Sequence, residues 1–340
     1  MDTLYIAQFL MYAVFMFSIV AYTTLDGFDL GVGCLHLFSK GDNERRLMIN
    51  AIGPVWDGNS TWIVIGGGVL FAAFPKAFAT LAPNLYTPFM LLLFGFMLRA
   101  AAIEFRSKGH QKWWTALWDG GFFLASFVLA VVIGLLLGNL IEGMPLTGQG
   151  ELQGSIIALM TPYTLLIAVF GISLFMMHGS LYLLMKTEGP FHDKVRRWAH
   201  RSIGIFLFLW IASTIATFTL NPHMVAPFRK YPLLGIFPVL SFGSIFMILH
   251  KIRQKKDGMA FLFSCLTIFF LLLLFVIGTF PYRLFNPQPR PKFSHLHEQF
   301  RVRARPLDPR WRRSHRRSPL LLLLPVCLQG FQRQGQARLA

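Results

Sequence analysis

The chain has 340 residues, of which 54% are apolar and 35 are phenylalanine, and only 14% are charged. A soluble globular domain carries about a quarter charged residues, so this composition excludes that class and points to a membrane protein. The net charge of +17 is unevenly placed: residues 1–282 hold 19 Lys and Arg against 13 acids, whereas residues 283–340 hold 13 against two.

A bilayer core of roughly 30 Å takes about 20 apolar residues per helix. Eight segments meet that need, at about 4–25, 54–74, 83–103, 118–141, 158–185, 202–220, 232–250 and 259–279. In lipid, runs of this length must be helices, because each satisfies its own backbone. The fold expected is an all-α polytopic membrane protein. Met1-Asp2-Thr3 has no basic residue, and segment one reads as a retained helix rather than a cleaved signal peptide.

The first segment ends in Leu25-Asp26-Gly27-Phe28-Asp29-Leu30-Gly31-Val32-Gly33. Asp26 and Asp29 are three apart and share a helix face, and the glycines let another backbone approach. Acids at membrane depth mark ion or proton pathways. The alternative is that the helix stops near Leu25 and leaves both acids at the water interface.

Segment two opens with Trp56-Asp57-Gly58-Asn59-Ser60-Thr61-Trp62. Here Asp57 reads either as a functional acid held by amide and hydroxyl neighbours or as the N-cap of the segment. Segment three ends with Arg99 and Glu104, which could pair with each other or snorkel at a boundary. Trp118-Asp119-Gly120 repeats the triplet at Trp56. Within segment five, His178 follows Met176 and Met177. It reads as a haem-ligand candidate or, as a lone histidine, a hydrogen-bonded packing residue. Cys34, Cys265 and Cys327 have no metal-ligand spacing, and there is no phosphate loop or nucleophile elbow.

Basic residues alternate between loops. Lys40, Arg45 and Arg46 follow segment one; Arg106, Lys108 and Lys112 follow three. Lys186, Lys194, Arg196, Arg197 and Arg201 follow five; Lys251, Arg253, Lys255 and Lys256 follow seven. By the positive-inside rule these loops are cytoplasmic and the N-terminus periplasmic. After Tyr282 the composition breaks. The 283–340 tail, rich in Arg and Pro, reads either as a disordered arm for anionic surfaces or as non-native sequence from a shifted reading frame. The division expected is a 1–282 membrane domain and this tail.

Residues Leu25 to Gly33, Glu44 to Asn50 and Gly53 to Trp62 together resemble subunit II of cytochrome bd-type ubiquinol oxidases. Ala72 to Pro75, Ile103 to Arg106, Gly138-Asn139-Leu140 and Phe261 to Ser264 extend the resemblance over about 4–282. It implies nine helices, in two four-helix bundles plus one, so that the eight segments fall one short. The implied complex oxidises quinol and reduces dioxygen to water in the bacterial inner membrane. Haem b and haem d would be held by a partner, subunit I, which would also take ubiquinol. Carried over by motif, Asp57 would conduct protons with Asp26 and Asp29 nearby, and Trp62 would line an apolar passage for dioxygen. Trp56, Asn59, Arg99 and Glu104 support the motif. The resemblance also allows a structural quinone or lipid in this subunit, and no nucleic-acid partner is expected. Two other readings fit the residues: an ion-coupled secondary transporter and a purely structural membrane partner.

Overall fold

A computed structural model of the chain describes residues 3–109, 111–145, 151–152 and 156–279. The 283–340 tail, with both readings offered for it, lies outside the described residues. Eleven α-helices are described, joined by short 3-10 turns. They are α1 (Thr3–Leu35), α2 (Asp42–Ile52), α3 (Trp56–Ala73), α4 (Pro75–Asn84), α5 (Tyr86–Phe105) and α6 (Lys112–Glu142). Then come α7 (Pro162–Lys186), α8 (Gly189–Leu220), α9 (Ala226–Lys230), α10 (Ile236–Arg253) and α11 (Asp257–Thr279).

Seven of the long helices are apolar enough to cross a membrane, and the chain is an all-α polytopic membrane protein. The expected second segment does form a helix, α3, but is not among the seven. Its first two turns carry Asp57, Asn59, Ser60 and Thr61. Other boundaries move for physical reasons. α1 runs ten residues past its expected end because Asp26 and Asp29 find partners inside the protein, Arg99 and Asn59. The basic residues Lys194 to Arg201 lie not in a loop but on the first turns of α8. The stretch after Lys40 forms α2, whose buried Met48, Ile49 and Ile52 fix one face against the bundle. At the start of α7, Pro162 takes the first helical position and the Thr161 side chain accepts a hydrogen bond from the Thr164 backbone N–H.

α1, α3, α5 and α6 form one group; α7, α8, α10 and α11 form the other. α1 packs on α3, α6, α7 and α11, and α7 packs on α1, α6, α8 and α11, so these two helices hold the groups together. Small residues make this possible. A Cβ on Gly31 would sit 1.8 Å from the Phe175 carbonyl oxygen of α7, and one on Gly179 would sit 2.6 Å from the α1 backbone. Nearer the start of α7, a Cβ on Gly134 of α6 would sit 2.5 Å from Ala168 Cα. With apolar lipid all round, helix association rests on such close packing and on interhelical hydrogen bonds rather than on water exclusion.

Candidate functional site

Asp26 and Asp29 do lie on one face of α1, yet not at a helix end: both are completely buried. The water-interface reading of these acids is therefore overturned. Asp26 is gripped end-on by Arg99 of α5, whose Nη1 and Nη2 donate at 2.8 and 2.7 Å. Arg99 is itself 1% exposed, so the snorkelling reading fails. Its partner is also not Glu104, which is exposed. Arg99 Nη2 also donates to Ser60 Oγ at 2.9 Å, and its guanidinium lies 5.4 Å from the centre of the Phe96 ring. Charged hydrogen bonds of this kind stabilise by more than neutral ones, and they let two ions sit within the bundle.

Asp29 is held differently. Its Oδ2 accepts one hydrogen bond, from Asn59 Nδ2 of α3 at 2.9 Å, and its Oδ1 has no partner. The polar opening of α3 thus serves Asp29 rather than Asp57. Thr61 Oγ1 donates to the Asp57 backbone carbonyl at 3.2 Å, leaving the carboxylate out of the constellation. Asp57 is exposed on the first turn of α3, and the N-cap position belongs to Val55, with no side-chain cap. The structure therefore brings together Asp26, Asp29, Asn59, Ser60 and Arg99, and leaves Asp57 and Glu104 on the outside of this chain. Trp56 is half-buried and packs against the main core.

Beside α1, His178 is completely buried. Its Nε2 lies 2.9 Å from the Thr24 carbonyl, which can only accept, so Nε2 bears the proton. Nδ1 lies 2.7 Å from Ser264 Oγ, which also meets the Phe261 carbonyl at 2.6 Å. Both ring nitrogens are engaged and Phe261 stacks on the ring at 4.9 Å. This overturns the haem-ligand reading of His178 in favour of the packing one.

A second polar cluster closes the end of the bundle where α2 lies, and sequence reasoning missed it. Asp119 of α6, 2% exposed, accepts from Arg106 Nε at 2.6 Å and from Arg45 Nη1 at 2.9 Å. Its Oδ1 also lies 2.6 Å from Nε2 of the buried His36. Arg106 continues to Asp42 at 2.7 Å, which also takes Arg46 at 2.6 Å. Burial would raise the Asp42 carboxyl, but the hydrogen bonds from Arg106 and Arg46 outweigh it and hold the group below the usual range. Glu44 behaves alike: burial raises it, and the Lys194 ammonium and the Lys40 backbone N–H bring it below its ordinary value. The one sequence signal for this cluster is the Trp118-Asp119-Gly120 triplet, which by itself suggests no more than a repeat of Trp56-Asp57-Gly58.

Above the Asp26–Arg99 pair lies an almost wholly apolar cavity of about 1130 Å³, walled by helices of both groups. Tyr22 and Phe96 contribute to its wall, which brings it one helical turn from Asp26. Ile63, Val64, Gly67 and Gly68 of α3 line it, whereas Trp62 is not among its lining residues; Trp62 meets Phe17 edge-on at 5.6 Å instead. No group of His, Cys, Asp and Glu suited to a metal ion is found among the described residues. His178 is engaged at both nitrogens, whereas His36 turns Nε2 to Asp119, packs edge-on against Phe122 and leaves Nδ1 without a hydrogen-bond partner.

A sequence profile described as cytochrome bd terminal oxidase subunit II matches residues 7–294. Similar proteins include subunit 2 of the cytochrome bd-I ubiquinol oxidase of Escherichia coli (strain K12), 32% identical over 295 residues, 78% of each chain. Cytochrome bd ubiquinol oxidase subunit 2 of Bacillus subtilis (strain 168) is 32% identical over 244 residues, 71% of each chain. Among solved structures, the bd oxidase from Geobacillus thermodenitrificans aligns with a TM-score of 0.69 at 15% identity. That match covers 82% of this chain and 86% of that one, a likeness of fold.

Proposed function

The chain belongs to the cytochrome bd terminal oxidase subunit II family, and from that premise we propose that it is the haem-free partner in a quinol-oxidising, dioxygen-reducing complex of a bacterial inner membrane. Haem b and haem d, and the ubiquinol site, would belong to the subunit I partner. Basic residues on α2 and at the start of α8 favour a cytoplasmic face there and a periplasmic N-terminus.

Reducing dioxygen to water takes up protons, and a path for them is this subunit's proposed contribution. The observation that carries the reading is the buried Asp26–Arg99 pair with Asp29 and Asn59 beside it. Asp57, exposed two residues before Asn59, suits the outer end of such a path. Trp62 would guide dioxygen along the outer face of α3, next to the cavity rather than inside it. The cavity itself is large and apolar enough for the tail of a structural quinone or a lipid.

The test is co-expression with the haem-bearing partner, followed by reduced-minus-oxidised spectra and quinol-driven oxygen uptake. Haem bands and uptake that depend on this chain are expected. Substrate flux by this chain alone would instead favour a transporter. Asp57→Asn is expected to lower turnover more than haem content; equal loss of both would make Asp57 an assembly residue, and no loss would leave the subunit a structural partner.

A further inference from the structure

The two acids of α1 are chemically unequal. Asp26 has both carboxylate oxygens on the Arg99 guanidinium. Asp29, equally buried, has one neutral amide donor and a free oxygen. The charged and titratable groups around Asp29 are Asp26 and Tyr22 on α1, Arg99 on α5 and Tyr182 on α7. Arg99 is the one cation of this set, and Asp26 already neutralises it. The site therefore holds one positive charge for two carboxyl groups. An ionised carboxylate without a cation is among the costliest groups to bury, and it neutralises by taking a proton. Asn59 cannot supply charge, but its amide N–H suits the carbonyl oxygen of a neutral acid just as well.

Resting on the proton-path reading above, we propose that Asp29 is a neutral carboxylic acid at rest and is the residue of this cluster that exchanges a proton, while Asp26 stays ionised as the fixed counter-ion of Arg99. In the exchange, the Asp29 O–H bond breaks and its proton passes to water on the way to the haem-bearing partner. A proton from the cytoplasmic side then restores the acid, so the site ends unchanged. The anion formed between the two steps has only the Asn59 amide hydrogen-bonded to it and shares Arg99 with Asp26, which makes it short-lived and favours rapid reloading. Because Asp26 is locked, the two acids do not share one proton.

The experiment uses the assembled oxidase with its haem-bearing partner, as wild type, Asp29→Asn and Asn59→Ala. Infrared spectra in H2O and D2O are expected to show a protonated-carboxyl C=O band that moves down in D2O. The band should be missing from Asp29→Asn and should move up in Asn59→Ala, where the carbonyl loses its donor. Asn is a near-isostere of the neutral acid, so Asp29→Asn should assemble with full haem content and lose turnover by about a hundredfold, the low end for a positioned proton-transfer group. A spectrum unchanged by Asp29→Asn would show that Asp29 is ionised and would overturn the proposal. If Asp29→Asn fails to assemble, an unmoved band in Asn59→Ala overturns it too. A lost band with full turnover would mean that Asp29 stores a proton without passing it on, which also overturns the exchange. In that last case Asp57→Asn separates the two claims: slowed turnover there keeps a proton path without Asp29, and unaffected turnover removes the path itself.

Discussion

Replacing Arg99 by methionine tests whether the Asp26–Arg99 pair is a true buried ion pair. Both groups are at most 1% exposed and meet through two hydrogen bonds of 2.7 and 2.8 Å. Removing one partner of such a pair costs about 3–5 kcal/mol, whereas replacing both by neutral groups is often close to neutral. Arg99→Met leaves two buried acids with no cation, so the full penalty applies. At on the order of 2 °C per kcal/mol for a chain of this size, the assembled oxidase should melt about 6–10 °C lower. Asp26→Asn leaves Arg99 to draw its charge from Asp29 and should cost less, about 1–3 kcal/mol. The double variant should recover most of the loss, so that its cost falls well short of the sum of the two single costs. The assay is thermal unfolding of the purified complex by tryptophan fluorescence in one detergent. If the double variant loses the sum of the two single losses, the two residues act independently and the charge accounting at Asp29 falls with them.

Gly31→Ala should weaken the α1–α7 crossing by about 3 kcal/mol, the upper end of overpacking penalties, because the new methyl meets backbone and not a movable side chain; the yield of assembled complex measures it. His178→Gln should leave haem per assembled complex unchanged while lowering the melting temperature, since Thr24 and Ser264 lose well-placed partners at about 1–3 kcal/mol; haem loss at full assembly would restore the ligand reading. Asp42 and Glu44 are both held below their ordinary values, so their stabilisation is complete above about 3.9 and 4.3, the unfolded values, and fades as pH falls through and below them. Melting temperature should therefore be flat from about pH 7 to 5 and fall below about pH 4.5, with a shallower fall in Asp42→Asn; an identical acid limb in that variant would show that the Arg106–Asp42–Arg46 bridge contributes nothing.

Hydropathy made the long helices legible because lipid imposes one length on all of them. It misplaced the end of α1, since an aspartate reads as an exit to water unless its counter-ion is known. That counter-ion, Arg99, is 73 residues away, and no local spacing links them. The pairing of Asp26 and Asp29 on one face was legible from helical periodicity, and the role of Gly31 in close approach followed from glycine itself. Asn59 was flagged, but for the wrong acid: its neighbour in sequence is Asp57, and its neighbour in space is Asp29. The cluster around Asp119 draws on α2, α5, α6 and the turn after α1, and such convergence exists only after the helices have packed.

The distance along the chain between Asp26 and Arg99 also has a meaning during synthesis. A ribosome adds about 5–20 residues per second, so the 73 residues between them correspond to about 4–15 s. Throughout that interval α1 exists without the arginine that neutralises it. His178, the side chain that reaches back to the Thr24 carbonyl, comes 154 residues after it. Until α5 arrives, the newborn first helix carries its acids without that cation, at a cost of about 2.5–3.5 kcal/mol for an aspartate at membrane depth, which its long apolar stretch has to offset.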